Sequence, residues 1–153
     1  PDQSRGCAAA GGEPGDVVYT AAVAIADGAI AVGESKRGIR NVIPITGGTV
    51  SGPDIQGTVP RGGADFQILS GTPVFDARYI MRTDDGELIL VRNCGPLGAL
   101  VPTFEVRASS AYGWLNENRW LSDNPALGGG GCPDGGPGRE GDEHEAARGF
   151  AVR

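Results

Sequence analysis

The chain has 153 residues, enough for one domain with a real hydrophobic core, because a compact chain of this length buries roughly 70% of its unfolded surface. Its 27 glycines and 11 prolines divide the apolar residues into short segments, a pattern that favours strands over helices. The net charge of −6 argues against a general polyanion-binding surface, so we expect no nucleic acid partner.

The first predicted elements are an arm and a hairpin. Residues 1–15 are small, polar and glycine-rich, and we predict a flexible arm because they have little apolar surface to bury. Residues 17–26 alternate as a strand does, and the Asp27-Gly28 turn predicts a hairpin with residues 29–32. A polar connection is predicted for residues 33–40.

Short strands separated by glycine turns are predicted next. Residues 41–45 form a strand that Pro44 restricts to an edge or a bulge. Gly47-Gly48 is predicted to turn the chain. Three further strands are predicted at residues 49–50, 55–59 and 64–69.

The clearest hairpin signal lies in the middle of the chain. Residues 74–83 and 87–93 are rich in β-branched and aromatic side chains and flank an Asp85-Gly86 turn. A loop at 95–102 and an alternating strand at 103–108 are predicted to follow.

The last third of the chain changes character. Ser110 is predicted to cap a short helix that runs to Trp120. Residues 124–147 are glycine-rich and acidic, which predicts a flexible insertion, before a last strand at 150–152. We therefore predict a single β-domain over residues 16–153.

The cysteines predict neither a metal site nor a disulfide framework. Cys7, Cys94 and Cys132 have no spacing that suits zinc. One disulfide with a spare thiol stays open, but free thiols in a reducing compartment are the simpler interpretation.

The location follows from two absences in the sequence. It has no apolar run of roughly 18 residues, the length that would cross a membrane. Residues 1–15 also lack the charged start and apolar centre of a signal peptide. We therefore expect a cytoplasmic protein without a membrane partner, while export stays open.

Several segments, in order along the chain, resemble the family called domain of unknown function 3237. The likeness covers roughly residues 17–122 and resumes at the final strand. The segments that carry it are Gly38-Ile39-Arg40, the run from Ile43 to Thr49, the run from Gly62 to Gln67, Asp76-Ala77-Arg78-Tyr79, the run from Arg82 to Gly86, and Trp114-Leu115-Asn116. The resemblance implies a small closed antiparallel β-barrel, in agreement with the strand pattern. The chain departs from the family in a shortened stretch between Asn93 and Thr103 and in the insertion after Leu121, both near barrel ends that control access to a pocket.

In a barrel every second side chain points inward, so polar residues in apolar strands are candidates for a site. Asp65 or Glu105 beside Arg78 and Tyr79 would supply a base, a cation to stabilise an enolate and a phenolic donor, and these four are the predicted catalytic residues. The predicted ligand-binding residues are Gln67, Arg82, Trp114 and Asn116.

Structural alternatives accompany these candidates. For Asp65 and Arg78 a structural role is favoured over a catalytic one. In that alternative they form a buried, hydrogen-bonded pair that fixes strand register, because buried charges are normally paired. Trp114 and Trp120 are more readily core or lid aromatics than binding residues. Asp84-Asp85-Gly86 fits a turn better than a calcium site, and His144 lies in the predicted insertion, which argues against a Ser-His-Asp device.

Three functions compete. The preferred hypothesis is a cofactor-independent cyclase, isomerase or lyase acting on an apolar, carbonyl-containing metabolite. The alternatives are a non-catalytic ligand-binding or carrier barrel, and a structural module whose interior is filled by side chains. A small-molecule ligand or substrate is the expected partner, no cofactor or metal is expected, and assembly into a homo-oligomer stays open.

Overall fold

The computed structural model describes residues 6–117, 119–122, 126–127 and 144–152. These residues form one antiparallel sheet of eleven strands, which confirms the all-β prediction. The strands are β1 Pro14–Ile25, β2 Ile30–Ser35, β3 Gly38–Ser51, β4 Gly57–Thr58, β5 Ala64–Ile68, β6 Val74–Thr83, β7 Leu88–Pro96, β8 Val101–Glu105, β9 Trp120–Ser122, β10 Ala126–Leu127 and β11 His144–Val152. Most of the predicted insertion, residues 124–147, lies outside the described residues.

The sheet runs in the order β10, β11, β1, β3, β4, β6, β7, β8. β5 lies between β3 and β6 beyond the short β4, while β2 pairs with β3 and β9 pairs with β11. The last strand is longer than the predicted 150–152 and pairs along most of β1. Segments far apart in the chain thus meet side by side in the pairing of β1 with β11, whereas β5 and β6 are consecutive strands that pair directly.

The predicted hairpin between residues 17–26 and 29–32 is wrong, because both β1 and β2 pair with β3. The predicted connection at 33–40 is also wrong, since it contains the end of β2, a tight turn and the start of β3. Gly47-Gly48 does not turn the chain. It lies at a bulge within β3, where Gly48 has φ 150° and an added Cβ would lie 2.5 Å from the Ala22 carbonyl oxygen.

The central hairpin is confirmed. β6 and β7 pair over nine residue positions from Val74 and Pro96 to Arg82 and Leu88. Thr83 closes the turn, since its backbone N–H donates to the Glu87 carbonyl and the Gly86 N–H donates to the Thr83 carbonyl, both at 2.9 Å. β7 extends to Pro96, so the loop before β8 is shorter than the predicted 95–102.

The helix predicted from Ser110 to Trp120 is a single 3-10 turn, Gly113–Asn116. The Ser110 hydroxyl accepts a hydrogen bond from the Tyr112 N–H at 3.1 Å, so it stabilises the preceding turn and does not cap a longer helix. Four residues suffice to bury Leu115, and the chain returns to strand at Trp120.

One core lies against one face of the sheet. Its buried members come from β1, β3, β6, β7, β8 and β9, and include Val23, Val50, Met81, Val91 and Phe104. Because a single sheet supplies residues on all sides of this core, the sheet curls around it. We call the face toward the core the inner face and the opposite one the outer face.

The cysteines are linked where free thiols were the preferred interpretation. Cys7 forms a disulfide with Cys94, whose Cα atoms are 5.3 Å apart. The free-thiol prediction is therefore wrong for this pair, and the argument from free thiols for a reducing compartment is lost. Sequence spacing could not show the pairing, because 87 residues separate the two cysteines and only the sheet brings them together. Cys132 lies outside the described residues.

Candidate functional site

Alternation along β6 divides its side chains between the two faces. Ala77, Tyr79 and Met81 are buried in the core, whereas Arg78 and Arg82 are exposed on the outer face. The sequence predicted this division between neighbours correctly. It did not show which set would face inward.

Polar side chains nevertheless reach the inner face, on β5 and β7. Asp65 lies opposite Ala77 and also opposite Ile43 of β3, and directly opposed residues share a face. Asn93 of β7 also lies opposite Ala77, on the edge of β6 that does not pair with β5. Gln67 follows Asp65 on the same face and lies opposite Asn41. These four residues, Asn41, Asp65, Gln67 and Asn93, form what we call the inner polar row.

Hydrogen bonds order this row. The Asp65 carboxyl accepts from the Gln67 amide and from the Asp76 backbone N–H, each at 3.0 Å. The Gln67 carbonyl in turn accepts from the Asn41 amide at 3.3 Å. At the other end Ser122 of β9 donates to Asn93 at 3.2 Å. Both donors to Asp65 are neutral, so they orient its carboxyl without neutralising its charge.

Burial raises the pKa of Asp65 above its ordinary value of 3.8, since the side chain is 1% exposed. The hydrogen bonds from Gln67 and the Asp76 N–H act in the opposite direction but do not overcome the desolvation. A carboxyl with a raised pKa can exchange a proton with a reacting group, as an acid when protonated and as a base when ionised.

The raised pKa of Asp65 predicts a pH-dependent stability. The unfolded chain releases this proton near pH 3.8, whereas the folded chain retains it to higher pH. The folded state therefore binds more protons in this window, and the free energy of unfolding falls as the pH rises through it. Asp65→Asn removes the titrating group, so we expect urea denaturation to show the wild type losing stability relative to the variant as the pH is raised from 3.8.

The matched control for that measurement is Asp54→Asn, which makes the same chemical change at an exposed turn residue. Its stability should follow the wild type across the same pH series. A difference between Asp65→Asn and wild type that stays constant with pH would contradict the assignment.

Two tyrosines lie deeper on the inner face. Tyr19 and Tyr79 are both buried, at 2% and 4% exposure. Burial, and then the neighbouring Tyr79, raise the pKa of Tyr19 well above 10.0, so its phenol stays protonated as a hydrogen-bond donor. Tyr79 is two residues beyond Ala77 on the same face as Asp65, and its phenol interacts with that of Tyr19.

The predicted grouping of four catalytic residues is wrong. Asp65 and Tyr79 face the core, but Arg78 and Glu105 lie on the outer face. The Arg78 side chain is 56% exposed and forms an ion pair with Asp76 at 3.0 Å, and Glu105 is exposed opposite Leu90. The buried Asp65–Arg78 pair, the structural alternative, is equally wrong, because neighbouring strand residues point to opposite faces and Arg78 pairs with Asp76.

The predicted ligand-binding residues also separate. Gln67 is in the inner polar row, while Arg82 is exposed outside. Trp114 is half-buried against the core, with its ring 5.6 Å from that of Trp120. The Asn116 side chain both accepts from the Val106 N–H and donates to the Val106 carbonyl at 2.8 Å, a bridge that holds the 3-10 turn to the end of β8.

Sequence reasoning missed Tyr19, Asn41 and Asn93 as site residues. The available signal was the presence of a polar or phenolic side chain within an otherwise apolar strand, as for Asp65. Within the described part of the chain, no group of three His, Cys, Asp or Glu side chains is placed to hold a metal ion. No helix among the described residues is long and apolar enough to span a membrane.

Comparison with known proteins agrees with this architecture. Residues 15–99 match the model of the family described as "Protein of unknown function (DUF3237)", more than half of the chain. The chain belongs to the DUF3237 family. The predicted resemblance is thereby confirmed.

Relatives of this DUF3237 chain include a UPF0311 protein of Rhodopseudomonas palustris, 41% identical over 80 residues, which are 51% of this chain and 52% of that protein. The hydroalkoxylation enzyme phnH of Penicillium herquei is 34% identical over 84 residues, 54% of this chain and 56% of the enzyme. The matches thus span only about half the length of these curated relatives.

A solved structure shares the fold over a longer span. A protein of Acinetobacter baumannii described as β-barrel-like superposes with a TM-score of 0.66 at 23% identity, and the match covers 90% of this chain and 96% of that one. At this identity the likeness concerns the fold alone, and it supports the curled antiparallel sheet.

Proposed function

We propose that this chain is a cofactor-independent cyclase or isomerase for an apolar, carbonyl-containing metabolite, with its centre at Asp65 on the inner face. The observation that carries the proposal is a carboxyl that is 1% exposed, oriented by two neutral donors and located on the inner face opposite Ala77. Such a group is costly to keep in a core, and perturbed carboxyls of this kind concentrate at sites of proton transfer. The relationship to a hydroalkoxylation enzyme supports the same class of reaction.

Hydroalkoxylation adds an O–H group across a carbon–carbon double bond. One C–O bond and one C–H bond form, the O–H bond and the π bond break, and substrate and product are isomers. Protonated Asp65 would give its proton to the alkene carbon, and its carboxylate would take the proton of the attacking hydroxyl, so the residue is regenerated. Proton transfers of this kind need no electron carrier, which is why we propose no cofactor.

Tyr79 is proposed to donate a hydrogen bond to the substrate carbonyl. A phenol can donate a hydrogen bond to a carbonyl oxygen on which negative charge develops. The aliphatic core around it, including Met81 and Val91, would favour an apolar ring system. Arg78 has no part in this mechanism, because its guanidinium lies on the other face.

The proposed substrate would enter from the end of the curled sheet at the inner polar row. Asn41, Ile43 and Ser122 are half-buried there, whereas Asp65 behind them is fully buried. We further propose that β8 and β9 close the sheet into a barrel. The Ser122 N–H of β9 lies 3.5 Å from the carbonyl of Leu100, just before β8, and this contact supports the proposed closure.

The test uses two probes, an ortho-alkenyl phenol bearing an aryl ketone and a β,γ-unsaturated ketone. Each is incubated with the protein in D₂O and analysed by chromatography with mass detection after back-exchange into H₂O. The expected product is an isomer with a shifted retention time and one carbon-bound deuterium. If both probes quench the tryptophan fluorescence saturably yet return unaltered, the non-catalytic ligand-binding alternative is favoured.

A further inference from the structure

A cavity on the outer face of the sheet lies between the β2–β3 turn and strands β5, β6 and β7. Its volume is about 230 Å³, and the Cys7–Cys94 disulfide forms part of its wall. The charged and aromatic side chains that line it are Arg37, Arg40, Phe66, Asp76, Arg78 and Arg92. We propose that this cavity binds a small oxyanion, a phosphate or carboxylate group, at a second site independent of the proposed active centre.

Its charge is the first argument. Four arginines face one aspartate in a chain whose net charge is −6. Asp76 is engaged by two of them, since Arg92 forms two hydrogen bonds to its carboxylate at 2.9 and 3.0 Å, and Arg78 two more at 3.3 and 3.0 Å. No carboxylate among the described residues pairs with Arg37 or Arg40. The cavity therefore carries a surplus of positive charge. Repulsion among these arginines disfavours the empty cavity, and a bound anion would relieve it.

The cavity is also partly preorganised. Arg92 is held by Asp76 on one side and donates to the Gly6 carbonyl at 2.8 Å on the other. The disulfide at Cys7 fixes the position of Gly6. Arg78 lies with its guanidinium carbon 6.0 Å from the centre of the Phe66 ring, within range of a cation–π contact. Two of the four guanidinium groups are thus fixed before any ligand arrives, which lowers the entropic cost of binding.

Guanidinium geometry selects the ligand. Its planar fork of N–H donors matches the two oxygens of a carboxylate or the edge of a phosphate, and a cluster of such forks favours a polar oxyanion over a neutral molecule. The Asp76 carboxylate already binds the guanidinium groups of Arg78 and Arg92 in the way that a ligand oxyanion would. An incoming oxyanion would bind the free donors of Arg37 and Arg40 and compete with Asp76 for Arg78 and Arg92.

The test is isothermal titration calorimetry of the full, oxidised chain with inorganic phosphate and, separately, with acetate, at constant ionic strength maintained with chloride. Saturable one-to-one binding of at least one probe is expected, and the tighter probe identifies the oxyanion. Arg40→Ala should raise its Kd at least tenfold. Arg61→Ala, which removes the same charge at an exposed residue outside this cavity, should leave the Kd within twofold.

Asp76→Asn is expected to change the affinity for the oxyanion in the opposite direction from Arg40→Ala. Removing the internal carboxylate frees Arg78 and Arg92, so the oxyanion should bind several-fold more tightly, with folding checked by circular dichroism. The proposal is overturned if neither probe saturates, or if Arg40→Ala and Arg61→Ala weaken binding equally. The titration measures binding without turnover, so failure here and failure of the proposed catalytic function are distinguishable.

Discussion

Replacing Asp65 with asparagine is expected to lower kcat for the proposed ring closure by about 10²–10⁴-fold, the usual contribution of a positioned acid–base group. Asparagine has nearly the same shape but neither gives nor takes a proton, and it leaves the carbonyl oxygen able to accept one of the two existing hydrogen bonds. The measurement is single-turnover conversion of whichever probe reacts, followed by chromatography.

Two further variants make that experiment decisive. Tyr79→Phe keeps the buried ring and removes only the phenolic donor, so a smaller fall in kcat is expected with the ring packing retained. Asp54→Asn should turn over at the wild-type rate. Full activity in Asp65→Asn would remove Asp65 from the mechanism, whatever the effect of Tyr79→Phe.

Breaking the disulfide is expected to be the largest change in stability. Cys7→Ser opens a covalent link between residues 87 positions apart, and losing a native disulfide typically costs about 2–5 kcal/mol of unfolding free energy, with the larger values expected for long loops. The cost arises mainly because the unfolded chain regains conformational freedom. Urea denaturation monitored by tryptophan fluorescence measures it, and reduction of the wild type should give a similar loss.

Cys132→Ser is the matched control. It removes a thiol that is not part of the Cys7–Cys94 bond, so its stability under oxidising conditions should equal that of the wild type. Equal stability of oxidised wild type and Cys7→Ser would contradict the prediction. If the reduced wild type matches the oxidised one, the bond has no structural role.

Local sequence signals identified the central hairpin but missed the hairpin between β2 and β3. The β6–β7 hairpin was predicted correctly because Asp85-Gly86 and the alternating residues on both sides act within one short segment. β1 and β2 were wrongly joined by the same kind of local signal. Asp27-Gly28 suits a hairpin turn, but β1 pairs with β3 and β11, whereas β2 forms its hairpin with β3 across the tight turn at residues 36–37.

The candidate site shows the same limit. Alternation correctly placed Asp65 with Gln67 on one side of β5, and Arg78 opposite in direction to Tyr79 on β6. Which side of β5 matches which side of β6 depends on their register. Asp65 lies opposite Ala77, so it shares a face with Tyr79, and Arg78 is carried to the outer face with Asp76.

The amino-acid sequence by itself determined the strand-rich class, the family, the central hairpin and the pairs of residues that share a strand face. Only the tertiary structure decided the partners of β1, β2 and β11, the Cys7–Cys94 bond and which polar residues face the core. The physical reason is that alternation is a property of each strand alone, whereas register and the inward direction are set by contacts between strands distant in the chain, whose combined burial outweighs any local signal.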